Sequence, residues 1–299
     1  FISTFQDDFN PSILDNWIAA DTSVSPGKSM QVVLGYEEYI KNMYKIQVEG
    51  YYKDLKNLLT YEEKRSTSDA PVSDESLANI VTPADGYAYG FELFGQKMSG
   101  KLSGWVAYTY SVSRKIMNSI YADGEQEYYT NWDRTHAFSV LGNYQFNTKW
   151  ETNWRFALQS GQAYTPIMGY YVQKFPESPE ELFRTIPGTR NSGRYEPYSR
   201  LDIGAVYHAK IGKTNVDFFF QIINTLNRSN TFRKIYSLGS PYNGLDDDGD
   251  WDKDLHDTNG NGEPDPGETN VDESDEGKIR ERSISLFPIL PTIGFTWEF

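Results

Sequence analysis

The chain has 299 residues, no cysteine and 38% hydrophobic content, with a mean hydropathy of -0.62; it contains no run of about 18 apolar residues, which excludes a transmembrane helix. The absence of cysteine excludes a disulfide scaffold, a Cys-ligated metal and a thiol nucleophile. The net charge of -14 is local, because residues 244–277 hold 14 Asp or Glu against one basic residue, Lys253, so the rest is near neutral and lacks a basic footprint for nucleic acid.

With 22 Tyr, 7 Trp and 24 Gly, the composition suits an alternating β-protein. The chain starts without Met or a signal peptide, so Phe1 is not expected to be the natural beginning of the gene product. Residues 1–28 carry the turn formers Asn10-Pro11 and Pro26-Gly27 and are expected as loop. The first strand is predicted over 29–39, with Val32, Leu34 and Tyr36 opposing Gln31, Gly35 and Glu37. A tight turn at 40–43 leads to a strand over 44–55, where Tyr44, Ile46, Val48 and Tyr52 oppose Lys45, Gln47, Glu49 and Lys53. After a polar connection over 60–86, Tyr89, Phe91 and Leu93 alternate with Glu92 and Gln96 in a strand over 87–97. A short turn at 98–101 gives a strand over 104–113, and a second long segment runs to about Arg134. Strands over 135–146 and 150–159 follow, joined by the short turn Asn147-Thr148-Lys149.

The third long connection covers 161–197, and Ser178-Pro179-Glu180-Glu181 predicts one helical turn within it, from an N-cap, a first-turn proline and a capping-box glutamate. Next come a strand over 198–209, a turn at 210–213, and a strand from 215 to about 236 with a bulge expected near 224–230. After the acidic segment, Ile293, Phe295, Trp297 and Phe299 alternate with Gly294, Thr296 and Glu298 to end the chain.

The connections run short, long, short, long throughout. In an antiparallel meander this places the tight turns at one end and the long loops at the other, the pattern of outer-membrane barrels. The expected fold is therefore all-β, an antiparallel up-and-down transmembrane β-barrel. The long loops are expected outside the cell and the C-terminus in the periplasm.

Several stretches carry a resemblance. They are Val33-Leu34-Gly35-Tyr36-Glu37, Glu49-Gly50-Tyr51-Tyr52-Lys53-Asp54, Tyr89-Gly90-Phe91-Glu92-Leu93-Phe94 and Gly104-Trp105-Val106-Ala107-Tyr108-Thr109-Tyr110-Ser111. Further on come Asp133-Arg134-Thr135-His136, Gly161-Gln162-Ala163-Tyr164-Thr165-Pro166, Tyr198-Ser199-Arg200-Leu201-Asp202, Ile223-Asn224-Thr225-Leu226-Asn227-Arg228 and the last nine residues. In this order they resemble a TonB-dependent outer-membrane receptor of Bacteroidetes-like bacteria. The resemblance implies a barrel of 22 strands in outer-membrane lipid, an N-terminal plug, a TonB-type periplasmic energiser and energy-coupled import of a ligand it does not name. The nine strands predicted here are an odd number, short of an even bacterial barrel. The chain is accordingly expected to be the C-terminal part, with the plug and remaining strands absent from it.

The acidic segment, 239–282, is expected as a long extracellular loop. Within it Asp257, Asn259, Asn261, Gly262, Asp265 and Glu268 fall at positions 1, 3, 5, 6, 9 and 12 of a calcium loop. Upstream, Asp246, Asp248, Asp250, Asp254 and Asp257 repeat the spacing, with Trp251 in place of the glycine. Pro264 and Pro266 disfavour an exiting helix, so tandem Asp-rich calcium repeats, rather than an EF-hand, are the resemblance. The bland alternative is a solvated acidic loop. Calcium would order the loop rather than catalyse.

Lone histidines on strands, His136 and His208 on opposite faces, are expected to be structural, as is His256 among carboxylates. Neither Gly-x-Ser-x-Gly nor His-Glu-x-x-His is present, so no enzymatic role is expected. Tyr36, Tyr44, Trp150 and Tyr207 read as interfacial girdle residues. Tyr164, Tyr170, Tyr171 and Tyr195 read either as a ligand platform or as loop self-packing. Glu49, Glu92, Arg155, Arg200 and Asp202 are expected to face the interior, as plug anchors or a substrate path. The function expected is a TonB-dependent transporter. The alternatives are a passive porin-like channel, or a surface-exposed binding or structural protein whose calcium loop holds a partner or a lipoprotein lid.

Overall fold

The computed structural model describes residues 2–5, 16–19, 25–61, 81–119, 124–174, 181–212, 214–238, 254, 260 and 279–298. The strands are β1 (Ile2–Phe5), β2 (Asn16–Ala19), β3 (Lys28–Ile40), β4 (Tyr44–Tyr61), β5 (Val81–Lys97), β6 (Leu102–Ser119), β7 (Gly124–Tyr129), β8 (His136–Gln145) and β9 (Trp150–Gln159). They continue as β10 (Ala163–Tyr164), β11 (Ile167–Lys174), β12 (Glu181–Pro187), β13 (Gly193–Arg194), β14 (Tyr198–Ile211), β15 (Thr214–Ile223), β16 (Thr231–Leu238), β17 (Ile279–Ser285) and β18 (Leu290–Glu298).

One antiparallel sheet holds the order β18-β15-β14-β9-β8-β6-β5-β4-β3, with β7 added beside the upper half of β6. Among the described residues β3 and β18 are edges, so the sheet is open. The tight turns follow from local chemistry. Lys41 and Asn42 take φ of 53° and 49°, the double left-handed conformation of a type I′ turn whose twist suits a hairpin. At the next tight turn but one, the Asn147 side-chain oxygen accepts the N–H groups of Lys149 and Trp150 at 2.8 and 3.0 Å, which reverses the chain without help from the sheet.

Register shows how the strands slant. The line through Tyr36, four residues before Ile40, passes Val48, Leu93, Tyr108, Phe138 and Leu158 and reaches Ser199, twelve residues before Ile211. It climbs eight residues relative to the tight turns in six inter-strand steps, about 27 Å over about 29 Å, a slant of about 40°.

Four expectations are corrected. Residues 2–5 and 16–19, expected as loop, pair as β1 and β2. Glu181 opens strand β12, paired with β11, rather than a helical turn; cross-strand pairing overrides the local capping signal there, and Ser178, Pro179 and Glu180 lie outside the described residues. The bulge expected near 224–230 is instead the end of the strand: β15 stops at Ile223, Asn224 and Asn227 turn with φ of 54° and 47°, and β16 pairs with β17, not with the sheet. The long connections are also not plain loops, since β4, β5 and β6 extend well past the predicted ends and β7 pairs with β6.

The chain divides into two compact units. One comprises residues 1–166, 189–230 and 286–299 and contains the sheet; the other comprises residues 167–188 and 231–285 and contains the hairpins β11–β12 and β16–β17.

Candidate functional site

The two faces of the sheet differ in chemistry from edge to edge. Alternation and register place Val48, Leu93, Tyr108, Phe138 and Leu158 in one row, and Ile203, Ile222, Phe220 and Ile293 continue the same face to β18. Among the described residues most of these side chains stand open, with Leu158 and Phe220 each 44% exposed and Ile293 73%, while Val112 and Val216 on the same face are buried. Aromatic rings bound the apolar stretch at the tight-turn end, where Trp150 and Tyr207 are register partners with ring centroids 4.8 Å apart, and Tyr36 and Tyr44 stand exposed on the same face. At the other end stand Tyr52, Tyr87 and Tyr89. The Trp154 ring lies over Gly142 on this face, where a Cβ would collide with it.

The opposite face is polar. Glu49 and Glu92 are directly opposite one another, an arrangement that costs stability unless a cation or donor is near; the Gln47 amide donates to Glu49 at 2.8 Å and Lys45 pairs with Glu37 at 2.8 Å. Farther across, Arg155 is the register partner of Asp202, and Arg200 donates to both Asp202 oxygens at 2.7 Å. Asp202 also accepts the Asn224 N–H at 2.9 Å, so the carboxylate anchors the turn that ends β15. Near the tight turns His208 shares 2.8 Å with Asp217 and stands 4.0 Å from Glu151. The Asp217 carboxylate at Nδ1 fixes the orientation of the imidazole.

At the far end the polar face carries a small packed cluster. Ala84, Met117 and Tyr128 bury one another, with Leu58 against them. Arg190, 2% exposed, donates to Thr60 at 2.7 Å, Met117 Sδ at 3.2 Å and Tyr128 at 3.3 Å. Asn191, with φ 49°, donates from its side chain to the Tyr129 carbonyl at 2.7 Å and from its backbone to Thr165 at 3.0 Å. In the notch between β7 and β8, Asp133 has a fully buried side chain that binds Arg194 at 2.6 Å and accepts the Ser113 N–H at 2.7 Å. The Tyr129 ring takes the Arg114 and Arg194 guanidinium carbons at 3.5 and 4.3 Å. Burial lowers the pKa of the adjacent Arg134 guanidinium, with Tyr198 opposing the shift.

Sequence-predicted residues fall in three groups. Glu49, Glu92, Arg155, Arg200 and Asp202 share the polar face, as alternation predicted. Tyr164 and Tyr195 stack on each other at 4.5 Å and 8°, which is loop self-packing. Of the calcium candidates, Asp246, Asp248, Asp250, Asp257, Asn259, Asn261, Asp265 and Glu268 lie outside the described residues, as does His256. Asp254 is described, and no group of three or more His, Cys, Asp or Glu able to hold a metal occurs among the described residues. Sequence reasoning missed Arg190, Asn191 and Thr60. A run of turn formers around Arg190 (Thr189, Asn191, Ser192, Gly193) was the available signal, but only the fold brings it to β4 across 130 residues.

No protein-family model matches the chain, and no curated protein matches it.

Proposed function

We propose that the chain is a transmembrane portion of an outer-membrane β-barrel, and specifically part of a TonB-dependent transporter that imports a ligand without chemistry on it. One observation carries the proposal: an apolar face, largely exposed among the described residues, that continues through nine strands and is backed by a polar face. The face measures about 1,000 Å², from about 38 Å of width across the strands and about 27 Å along them, and stands about 21 Å high, beyond what a soluble surface leaves bare. The height follows from Tyr44 to Tyr52 along β4, about 27 Å of strand reduced by the slant, against an apolar band of about 25 Å in such barrels. The slant of about 40° falls within the 35–45° of outer-membrane strands.

On this reading the apolar face meets lipid, the polar face lines the interior, and the open edges β3 and β18 pair with further strands. Lipid leaves no alternative for those edges, since each unpaired backbone group there costs several kcal/mol. Glu49 and Glu92 on one side and Arg155 and Arg200 on the other give a plug two patches of charge to pair with. The acidic segment holds calcium and orders an extracellular loop where a lipoprotein lid or other surface partner docks.

The test is fractionation of cells making the full-length protein, with sequencing of its N-terminus. Recovery in the outer membrane, with a plug preceding this chain and energy-dependent ligand uptake, is the expected result. Recovery in the soluble fraction overturns the membrane reading; outer-membrane recovery without a plug leaves a passive channel instead.

A further inference from the structure

We propose that residues 189–195 form a fixed strap across the inner face at the outer mouth of the barrel, a built-in partition that an incoming ligand must pass beside. The inference rests on the membrane reading above. On β6, Arg114 and Ile116 belong with Val112 to the apolar face, so Lys115 and Met117 belong with Ser113 to the polar face. Tyr128 is the register partner of Lys115. Thr60 and Ala84 share that side, through the pairs Thr60–Thr82 and Gly86–Lys115. The groups that receive Arg190 therefore all stand on the interior side.

The segment that brings Arg190 belongs to the connection from β9 to β14. From β9 to β4 the sheet counts four steps, through β8, β6 and β5, about 19 Å at ~4.8 Å each. A loop that left the sheet to meet solvent would not reach Thr60; this one turns inward. Both of its feet are tied. Arg190 is buried among Thr60, Met117 and Tyr128. Arg194 binds the buried Asp133 carboxylate and also donates to the backbone oxygens of Asp133 and Gly161 at 3.0 and 3.1 Å. Between them Asn191 is held from both sides, by Thr165 and the Tyr129 carbonyl. Gly161 admits the strap's continuation, since a Cβ there would collide with the Tyr195 carbonyl. Polar ties of this kind at both ends, with a buried guanidinium between strand side chains, specify a single position rather than a mobile loop.

The experiment uses the full-length protein in intact cells, with any cysteine outside this chain removed and a membrane-impermeant maleimide as the probe. Met117→Cys sits beneath the strap, where Met117 is 3% exposed; Met168→Cys, at a site 74% exposed on the same long connection, reports whether that connection faces outside. The expected result is fast labelling at 168, slow labelling at 117, and at least a tenfold faster rate at 117 when Arg190→Gln is added. Thr165→Val, which loosens the strap without touching the Arg190 cluster, is expected to raise the rate severalfold and guards against a variant that fails to fold. Labelling at 168 with a rate at 117 that neither change moves overturns the strap and leaves the membrane reading intact. Absence of labelling at 168 in intact cells, with labelling after lysis, overturns the orientation on which both rest.

Discussion

Asp133 concentrates the energetics of the far end in one carboxylate. Its side chain is fully buried, yet it satisfies the Ser113 N–H and the Arg194 guanidinium at once, so removing it strands a donor and a charge together. Arg194 keeps 30% of its side chain in solvent, which discounts the loss relative to a wholly buried pair. Asp133→Ala is therefore expected to destabilise by about 2–3 kcal/mol, read from the shift in a urea unfolding midpoint; a shift within error would remove Asp133 from its role. Asn224 is a second node. It adopts φ 54°, donates its side-chain amide to the carbonyls of Arg228 and Phe287 at 3.1 and 3.0 Å, and accepts the Arg228 N–H at 3.2 Å. Asparagine tolerates that conformation better than other residues with a Cβ, so Asn224→Ala loses the bonds and strains the turn. A cost of about 2–4 kcal/mol in the same assay is the expected outcome.

Strands make different predictions, because alternation assigns each neighbouring pair to opposite environments. Leu93 stands at mid-height of the apolar face, opposite Val48, and Gln47 on the adjacent register row belongs to the polar face. Arg at the lipid midplane costs about 2–4 kcal/mol, whereas interior substitutions are tolerated. Leu93→Arg is thus expected to reduce the protein recovered in the outer membrane and Gln47→Arg to leave it unchanged; equal recovery would argue against lipid on that face. The acidic segment carries a separate prediction. With 14 carboxylates between 244 and 277 it repels itself unless cations are bound. Protease nicking within 244–277 is expected to rise severalfold on chelation and fall again with calcium, and Asp257→Asn with Glu268→Gln is expected to abolish the calcium response. Cleavage indifferent to chelator would favour a merely solvated loop.

On the scale of the whole chain, the apolar face and the two sheet edges left open among the described residues set solution behaviour. An edge such as β3, exposed along its 13 residues, offers unpaired backbone groups to any neighbour. Made alone without detergent, residues 1–299 are expected to aggregate, and in detergent micelles to remain dispersed, as read by light scattering on a sizing column. A monodisperse monomer in plain buffer would contradict the lipid assignment.

The alternation of Val32, Leu34 and Tyr36, or of Ile293, Phe295 and Trp297, by itself determined strand identity and which side chains share a face, because a period of two leaves no other geometry. Spacing of turn residues likewise determined which connections are tight, since Lys41-Asn42 and Asn147 reverse the chain by local hydrogen bonds and left-handed φ. Register, and with it the slant of the sheet, was decided only by tertiary pairing: local alternation is indifferent to a slip of two residues. The β11–β12 hairpin and the break after Ile223 were also beyond local pattern, as capping and bulge signals compete with cross-strand bonds that lie far away in sequence. The inward course of the segment around Arg190 had the least local trace, because what holds it is a hydroxyl on β4, a sulfur on β6 and a phenol on β7, groups that only the folded sheet brings to one place.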